Sequence, residues 1–177
     1  MNELTAESLH LEDKEVLIDE IMNKYGQEIL QLVYSYVKNK EIAEDLTQDI
    51  FVKCYRSLST YKGKSKLRTW LWRIAINHCK DYLKSWYNKN VMVTENEYVY
   101  SGVPNESAEQ TVIQHDEDQR LAEVVMSLPI KYREVIYLFY FEESPIKDIA
   151  AVLQVKENTV KTRLKRAKEL LKERLED

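Results

Sequence analysis

The chain has 177 residues, enough for one medium domain or two small ones. Hydrophobic residues make up 44% and charged residues 32%, the balance of a soluble globular protein, and only three glycines and three prolines disfavour a sheet protein with frequent tight turns. The net charge of −4 conceals four blocks, −8 over residues 1–49, +9 over 50–90, −7 over 91–128 and +2 over 129–177, so a footprint suited to phosphates sits between acidic segments that weaken DNA binding by the isolated chain.

The first twenty residues are acidic and lack a basic, apolar secretory signal. No stretch approaches the roughly 20 apolar residues of a membrane helix, so a cytoplasmic protein without membrane insertion is expected. Over residues 12–38, Val16, Leu17, Ile21, Ile29, Leu32, Val33, Tyr36 and Val37 follow helical spacing, with Gly26 a local break or a point of close packing. A second helix is predicted over residues 41–59, with Ile42, Leu46, Ile50 and Phe51 on one face. Residues 61–66, YKGKSK, read as a short basic loop. A third helix, 67–86, is apolar nearly all round and should be buried on more than one side. Cys54 and Cys79 form no CxxC pair and no disulfide framework, so each is read as a small buried residue.

Residues 88–110 lose helical periodicity and contain Gly102, Pro104, Asn105 and Ser107. They read as a linker between domains 1–87 and 111–177, with a short strand at 91–93 or 98–100 as the competing reading. Helices are expected again at 108–127, 130–141, 145–153 and 157–175. Pro129 and Pro145 sit at helix starts, where a missing N–H costs nothing, and Ser144 is placed to act as an N-cap. With no strand–helix alternation, the fold class is all-α: two small helical domains on a flexible linker.

Residues 144–171, SPIKDIAAVLQVKENTVKTRLKRAKELL, carry the sharpest local motif. A short helix turns Ile146, Ile149, Ala150 and Leu153 inward. A tight turn follows at 154–156, with Val155 as its plug. A second helix buries Val160, Leu164 and Ala167. This is the pattern of a helix-turn-helix, whose second helix enters the major groove. Residues 156–168 hold six cations against Glu157 alone. Glu157, Asn158, Thr159, Lys161 and Thr162 are the candidates for base edges. Arg163, Lys165 and Arg166 are the candidates for phosphates, with a base edge as the alternative role for Arg163. A basic amphipathic helix on a bundle surface is the plainer alternative.

The N-terminal half decides which process is served. The strings AEDLTQDIFVKCYRSL (43–58) and KLRTWLWRIAINHCKDYLKS (66–85) resemble the N-terminal domain of extracytoplasmic-function RNA polymerase sigma factors, and DIAAVLQVKENTVKTRLKRAKELL resembles their second domain. The resemblance covers about three quarters of the chain, in matching order. It implies a non-enzymatic subunit, without cofactor or small-molecule substrate, that directs core RNA polymerase to promoter DNA in transcription regulation such as a stress response. It further implies an anti-sigma factor as a partner, often membrane-anchored.

The resemblance also assigns roles by position. Asp45, Gln48 and Asp49, at i, i+3 and i+4, share one helical face and correspond to the polymerase-docking face. The loop at 61–66 and the following helix correspond to the region that melts and holds the −10 element. Lys62, Lys64, Lys66, Arg68, Arg73, Asn77, Lys80 and Lys84 are the DNA-contact candidates there. Trp70 and Trp72 suit core packing better than base stacking, and His78 suits packing better than ligation. The chain departs from the family pattern at Gln154 and Asn158, where glycine is frequent, at Lys156, where a capping serine is usual, and at Leu67, where phenylalanine is common. Gln154 fits a left-handed turn poorly, while Asn158 tolerates one. A stand-alone repressor would leave the DLTQD face and the cationic block without a role, and a protein-binding adaptor would leave the helix-turn-helix without one.

Overall fold

The computed structural model describes residues 14–90 and 116–176, and every regular element among them is helical. The chain divides into two compact units. The first comprises Met1–Tyr34 with Lys40–Met92, the second Ser35–Asn39 with Val93–Asp177. This is the expected all-α, two-domain architecture. Apart from residues 88–90, which close a helix, the expected linker and its alternative strands lie outside the described residues, as do residues 108–115 of the helix expected at 108–127. No described helix is long and apolar enough to cross a membrane.

Helix α1, Lys14–Val37, buries Ile18, Ile21, Tyr25, Ile29, Leu32, Val33, Tyr36 and Val37. Steps of three and four residues place them on one stripe. Val16 does not join it and is 51% exposed, because two residues before Ile18 is nearly the opposite side of a helix. Gly26 neither breaks the helix nor marks close packing, since a Cβ there would meet nothing within 4 Å. The uninterrupted hydrogen-bond ladder of a long helix absorbs a glycine that costs about 1 kcal/mol.

In the first unit, α2 (Lys40–Ser57) turns Ala43, Leu46, Ile50, Phe51 and Cys54 inward, and a 3-10 turn, Leu58–Thr60, closes it. Helix α3 (Leu67–Asn90) buries Leu67, Leu71, Trp72, Ala75, Ile76, Cys79 and Leu83, and packs against α2. Trp72 is 1% exposed and meets the Tyr25 ring edge-on, with centroids 5.6 Å apart, so it is a core residue. Both cysteines are fully buried, and burial pushes each thiol up to about 12.

The second unit holds α4 (Asp116–Ser127), α5 (Ile130–Ile136), α6 (Ile146–Leu153) and α7 (Glu157–Glu176), with α7 packed on the other three. The segment expected as one helix over 130–141 changes character halfway. Tyr137–Phe141 is π-helical, and Glu142 N–H reaches the Tyr137 carbonyl at 3.1 Å. Ser144 does not cap α6. Pro145 takes the cap position, with no side-chain cap bond, and the Ser144 N–H separately donates to Leu138 O at 2.9 Å. The extended backbone of Pro145 aims its carbonyl at the N–H groups of Asp148 and Ile149, at 2.9 and 3.0 Å. Pro129 serves α5 in the same way, accepting from Tyr132 and Arg133. Arg133 is 2% exposed and donates to the carbonyls of Met126, Leu128 and Tyr36. Two of these follow from the end of α4, where carbonyls lack helical partners. Burial lowers the Arg133 guanidinium to about 10.

Candidate nucleic-acid interface

On α2 the buried stripe of Leu46, Ile50 and Phe51 fixes what faces solvent. Asp45, Gln48 and Asp49 are all exposed on one side. Val52 and Tyr55, 47% and 39% exposed, continue that side by one and two further turns. Sequence reasoning missed both, although their spacing from Gln48 is the signal. Asp49 Oδ2 lies 3.8 Å from Nε2 of His78 on α3. His78 packs as expected, with both ring nitrogens buried and no hydrogen-bond partner for either. Burial lowers its pKa first and Lys53 adds to that, while Asp49 and Asp81 oppose it.

The basic loop is braced from within. Gly63 takes a φ of 68°, and the Tyr61 hydroxyl donates to Ser65 O at 2.6 Å. The Tyr61 ring lies against Trp70, centroids 5.3 Å apart, which leaves Trp70 half-buried. Burial raises the Tyr61 phenol. Lys62, Lys64 and Lys66 stay exposed on the loop surface. The Lys66 carbonyl accepts the Trp70 N–H at 3.1 Å, so the last loop residue starts α3.

Arg73, Asn77, Lys80 and Lys84 recur at i, i+4, i+7 and i+11 and form one stripe on α3. Asn77 and Lys84 are exposed, and Arg73 and Lys80 are half-buried. Arg68 is not brought to that stripe. It stands about 140° round the helix from it. Its guanidinium bonds Glu28 of α1 at 3.2 Å and sits 4.1 Å over the Trp72 ring, an arrangement that covers the core tryptophan with a cation.

The second unit presents a helix-turn-helix. Ile149, Ala150, Val152 and Leu153 of α6 face Val160, Leu164 and Ala167 of α7, and Ile146 is half-buried. Gln154 takes the left-handed conformation, φ 56° and ψ 42°, and its N–H returns to Ala150 O. Val155 N–H returns to the same carbonyl at 3.1 Å, which closes the first helix. Asn158 is not left-handed but lies within α7. The Lys156 carbonyl accepts from Thr159 and Val160, so a lysine backbone caps α7 without side-chain help.

On α7, Glu157, Asn158, Lys161, Thr162, Lys165 and Arg166 are exposed, and Thr159 is half-buried. Thr162 donates its hydroxyl proton to Asn158 O at 2.8 Å, leaving the oxygen as an acceptor. Arg163 turns inward. Its Nη1 donates to Glu134 Oε1 at 3.3 Å, and Glu134 is 2% exposed. The Tyr36 hydroxyl donates to the other carboxylate oxygen at 2.7 Å. Arg166 pairs with Glu169 at 3.0 Å and Glu173 at 3.6 Å, and the bond to Glu169 raises its pKa.

Residues 21–87 match Sigma-70 region 2, and residues 118–171 match Sigma-70, region 4. The ECF RNA polymerase sigma factor SigW of Bacillus subtilis is 31% identical over 93% of this chain and 91% of its own length. The RNA polymerase sigma-H factor of Pseudomonas aeruginosa is 30% identical over 89% of this chain and 86% of its own. Among solved structures, the sigma factor RpoE of Bartonella quintana, crystallised with the anti-sigma factor NepR, shares the fold at TM-score 0.68 and 21% identity, covering 89% of this chain and 96% of that one. A region 2 unit followed by a region 4 unit, matched across nearly the whole length of its relatives, makes this chain a member of the ECF RNA polymerase sigma factors, which direct promoter-specific transcription initiation.

Proposed function

We propose that the chain works by division of labour on a promoter. The exposed face of α7 reads the −35 element as intact duplex, with Glu157, Asn158, Thr159, Lys161 and Thr162 toward base edges and Lys165 and Arg166 toward phosphates. The loop lysines and the Arg73–Asn77–Lys80–Lys84 stripe hold the opened −10 strand, where cations follow the backbone and Asn77 offers an amide to a base. Arg163 supports the α7 surface from behind, where the buried Glu134 carboxylate engages it, and Arg68 stands apart, paired with Glu28 over the Trp72 ring. Asp45, Gln48 and Asp49 dock on core RNA polymerase. The role is one of binding, not catalysis, and it is exercised in the cytoplasm, where polymerase works. An anti-sigma factor is the expected regulator, as in the RpoE–NepR complex.

The observation that carries this reading is the stripe on α3. Cations and one amide line a single face of an otherwise core-forming helix, directly after a lysine-rich loop. Bivalent engagement of polymerase and DNA then supplies an affinity that neither surface has alone. The test is transcription in vitro with core polymerase and a promoter library, with start sites sequenced. Promoter-specific starts that depend on the added chain support the reading. Starts identical to those of core enzyme alone would end it.

A further inference from the structure

His78 follows Asn77 on α3, but its side chain is only 15% exposed and stands beside α2. Both ring nitrogens are buried and neither has a hydrogen-bond partner. Such a ring is uncommon in a folded protein, because a buried polar atom left unpaired costs more than a bond returns. An opposite charge stands just out of bonding reach, with Asp49 Oδ2 3.8 Å from Nε2. The other charged groups acting on the ring are Lys53 of α2 and Asp81 of α3. Asp49 is 67% exposed, so its carboxylate has room to turn toward the ring or away to solvent.

A neutral imidazole carries one N–H and no charge, so its hold on a carboxylate is weak. An imidazolium carries two N–H groups and a charge. While the ring is neutral, Asp49 stays with Asp45 and Gln48 on the exposed face of α2. Once the ring is charged, the carboxylate is drawn to Nε2 in a charge-assisted bond, and its charge is used inside the unit. Burial, and then Lys53, favour the neutral ring, so the paired form belongs to acid conditions. We propose that His78 is a proton-operated brake on polymerase docking, which on gaining a proton takes Asp49 away from the docking face. By linkage the effect runs both ways, so polymerase that engages Asp49 also opposes protonation of His78. The inference rests on the reading of Asp49 as a docking residue.

The test titrates the full chain against core polymerase at about pH 8 and about pH 6, the range in which a histidine changes charge. Polymerase has titrating groups of its own, so the readout is the acid loss of the wild type divided by that of His78→Gln. The wild type should lose roughly two- to fivefold more affinity than His78→Gln. Equal losses in the two chains overturn the brake. A second measurement follows the His78 ring by NMR in the free chain. Asp49→Asn, a substitution at an exposed position, removes the pairing carboxylate and should move the His78 titration to lower pH. A titration that stays in place or moves upward overturns the brake, whatever His78→Gln does to the fold. Asp49→Arg at about pH 8 is the separate arm. If it weakens polymerase binding while wild type and His78→Gln lose equally in acid, the docking face stands and only the brake falls. Wild-type affinity for Asp49→Arg removes the docking reading itself, and the brake with it.

Discussion

Replacing Gln154 with glycine should stabilise the second unit and leave the first untouched. Gln154 is exposed and sits at φ 56°, ψ 42°, a region that costs an L-residue roughly 1–2 kcal/mol because Cβ crowds the following carbonyl. Glycine removes that cost, but gives back roughly 0.5–1 kcal/mol through its greater freedom in the unfolded chain. A net gain of about 0.5–1 kcal/mol remains. At roughly 4–8 °C per kcal/mol for a unit of 60–100 residues, the midpoint should rise by several degrees.

The protein supplies its own control for this measurement. Its three tryptophans, Trp70, Trp72 and Trp86, all lie in the first unit. Tryptophan fluorescence excited near 295 nm therefore follows that unit alone, while far-UV circular dichroism follows both. Gln154→Gly should shift only the dichroism component that fluorescence does not see. A lowered or unmoved second transition would show that left-handed strain is not what Gln154 imposes, and an equal shift in fluorescence would show that the effect is not local.

Asp49 is 67% exposed, so Asp49→Arg should spare the fold. It places like charge where a cationic partner is expected, and should weaken core polymerase binding at least tenfold in a competition titration; wild-type affinity would remove Asp49 from the docking face. Replacing Lys62 and Lys64 together with alanine should slow promoter opening, followed by fluorescence of a base analogue in the −10 element, by more than it weakens initial duplex binding. Equal losses in both steps would count against a role in melting. Cys54 and Cys79 should resist alkylation in the native state. With thiols near 12, the thiolate fraction at pH 8 is roughly one two-thousandth of that of a free cysteine near 8.5, and it grows about tenfold per pH unit. Mass spectrometry after iodoacetamide treatment at pH 7, 8 and 9 checks this, and rapid labelling at pH 7 would contradict the burial.

Much of the molecule is legible from one dimension because helix patterning is local. The run of apolar residues from Ile18 to Val37 can be read without knowing what covers it, and so can the lysines of the loop at 61–66. The helix-turn-helix is legible for the same reason: Ile149, Ala150, Val160 and Leu164 must meet across a turn of three residues, so their spacing carries the contact. The exposed positions on α2 and α7 then follow as the remainder of each helix.

Side chains that choose partners distant in sequence are different. Arg68 lies one turn and a residue before Arg73 in the same basic segment, yet folding sets it against Glu28 of another helix and over the Trp72 ring, on a different side of α3 from Arg73. Arg163 reads from the sequence as a phosphate contact with a base edge as its alternative, yet the buried carboxylate of Glu134, 29 residues earlier, engages it. Ser144 does not cap its helix because the helix starts one residue later, with Pro145 in the cap position. The amino-acid sequence by itself determined which surfaces are helical, apolar or cationic, since those depend on spacing along the chain. Only the tertiary structure decided which opposite charges meet, as Arg68 meets Glu28 and Arg163 meets Glu134, since a long flexible side chain answers to whatever opposite charge folding brings within about 4 Å.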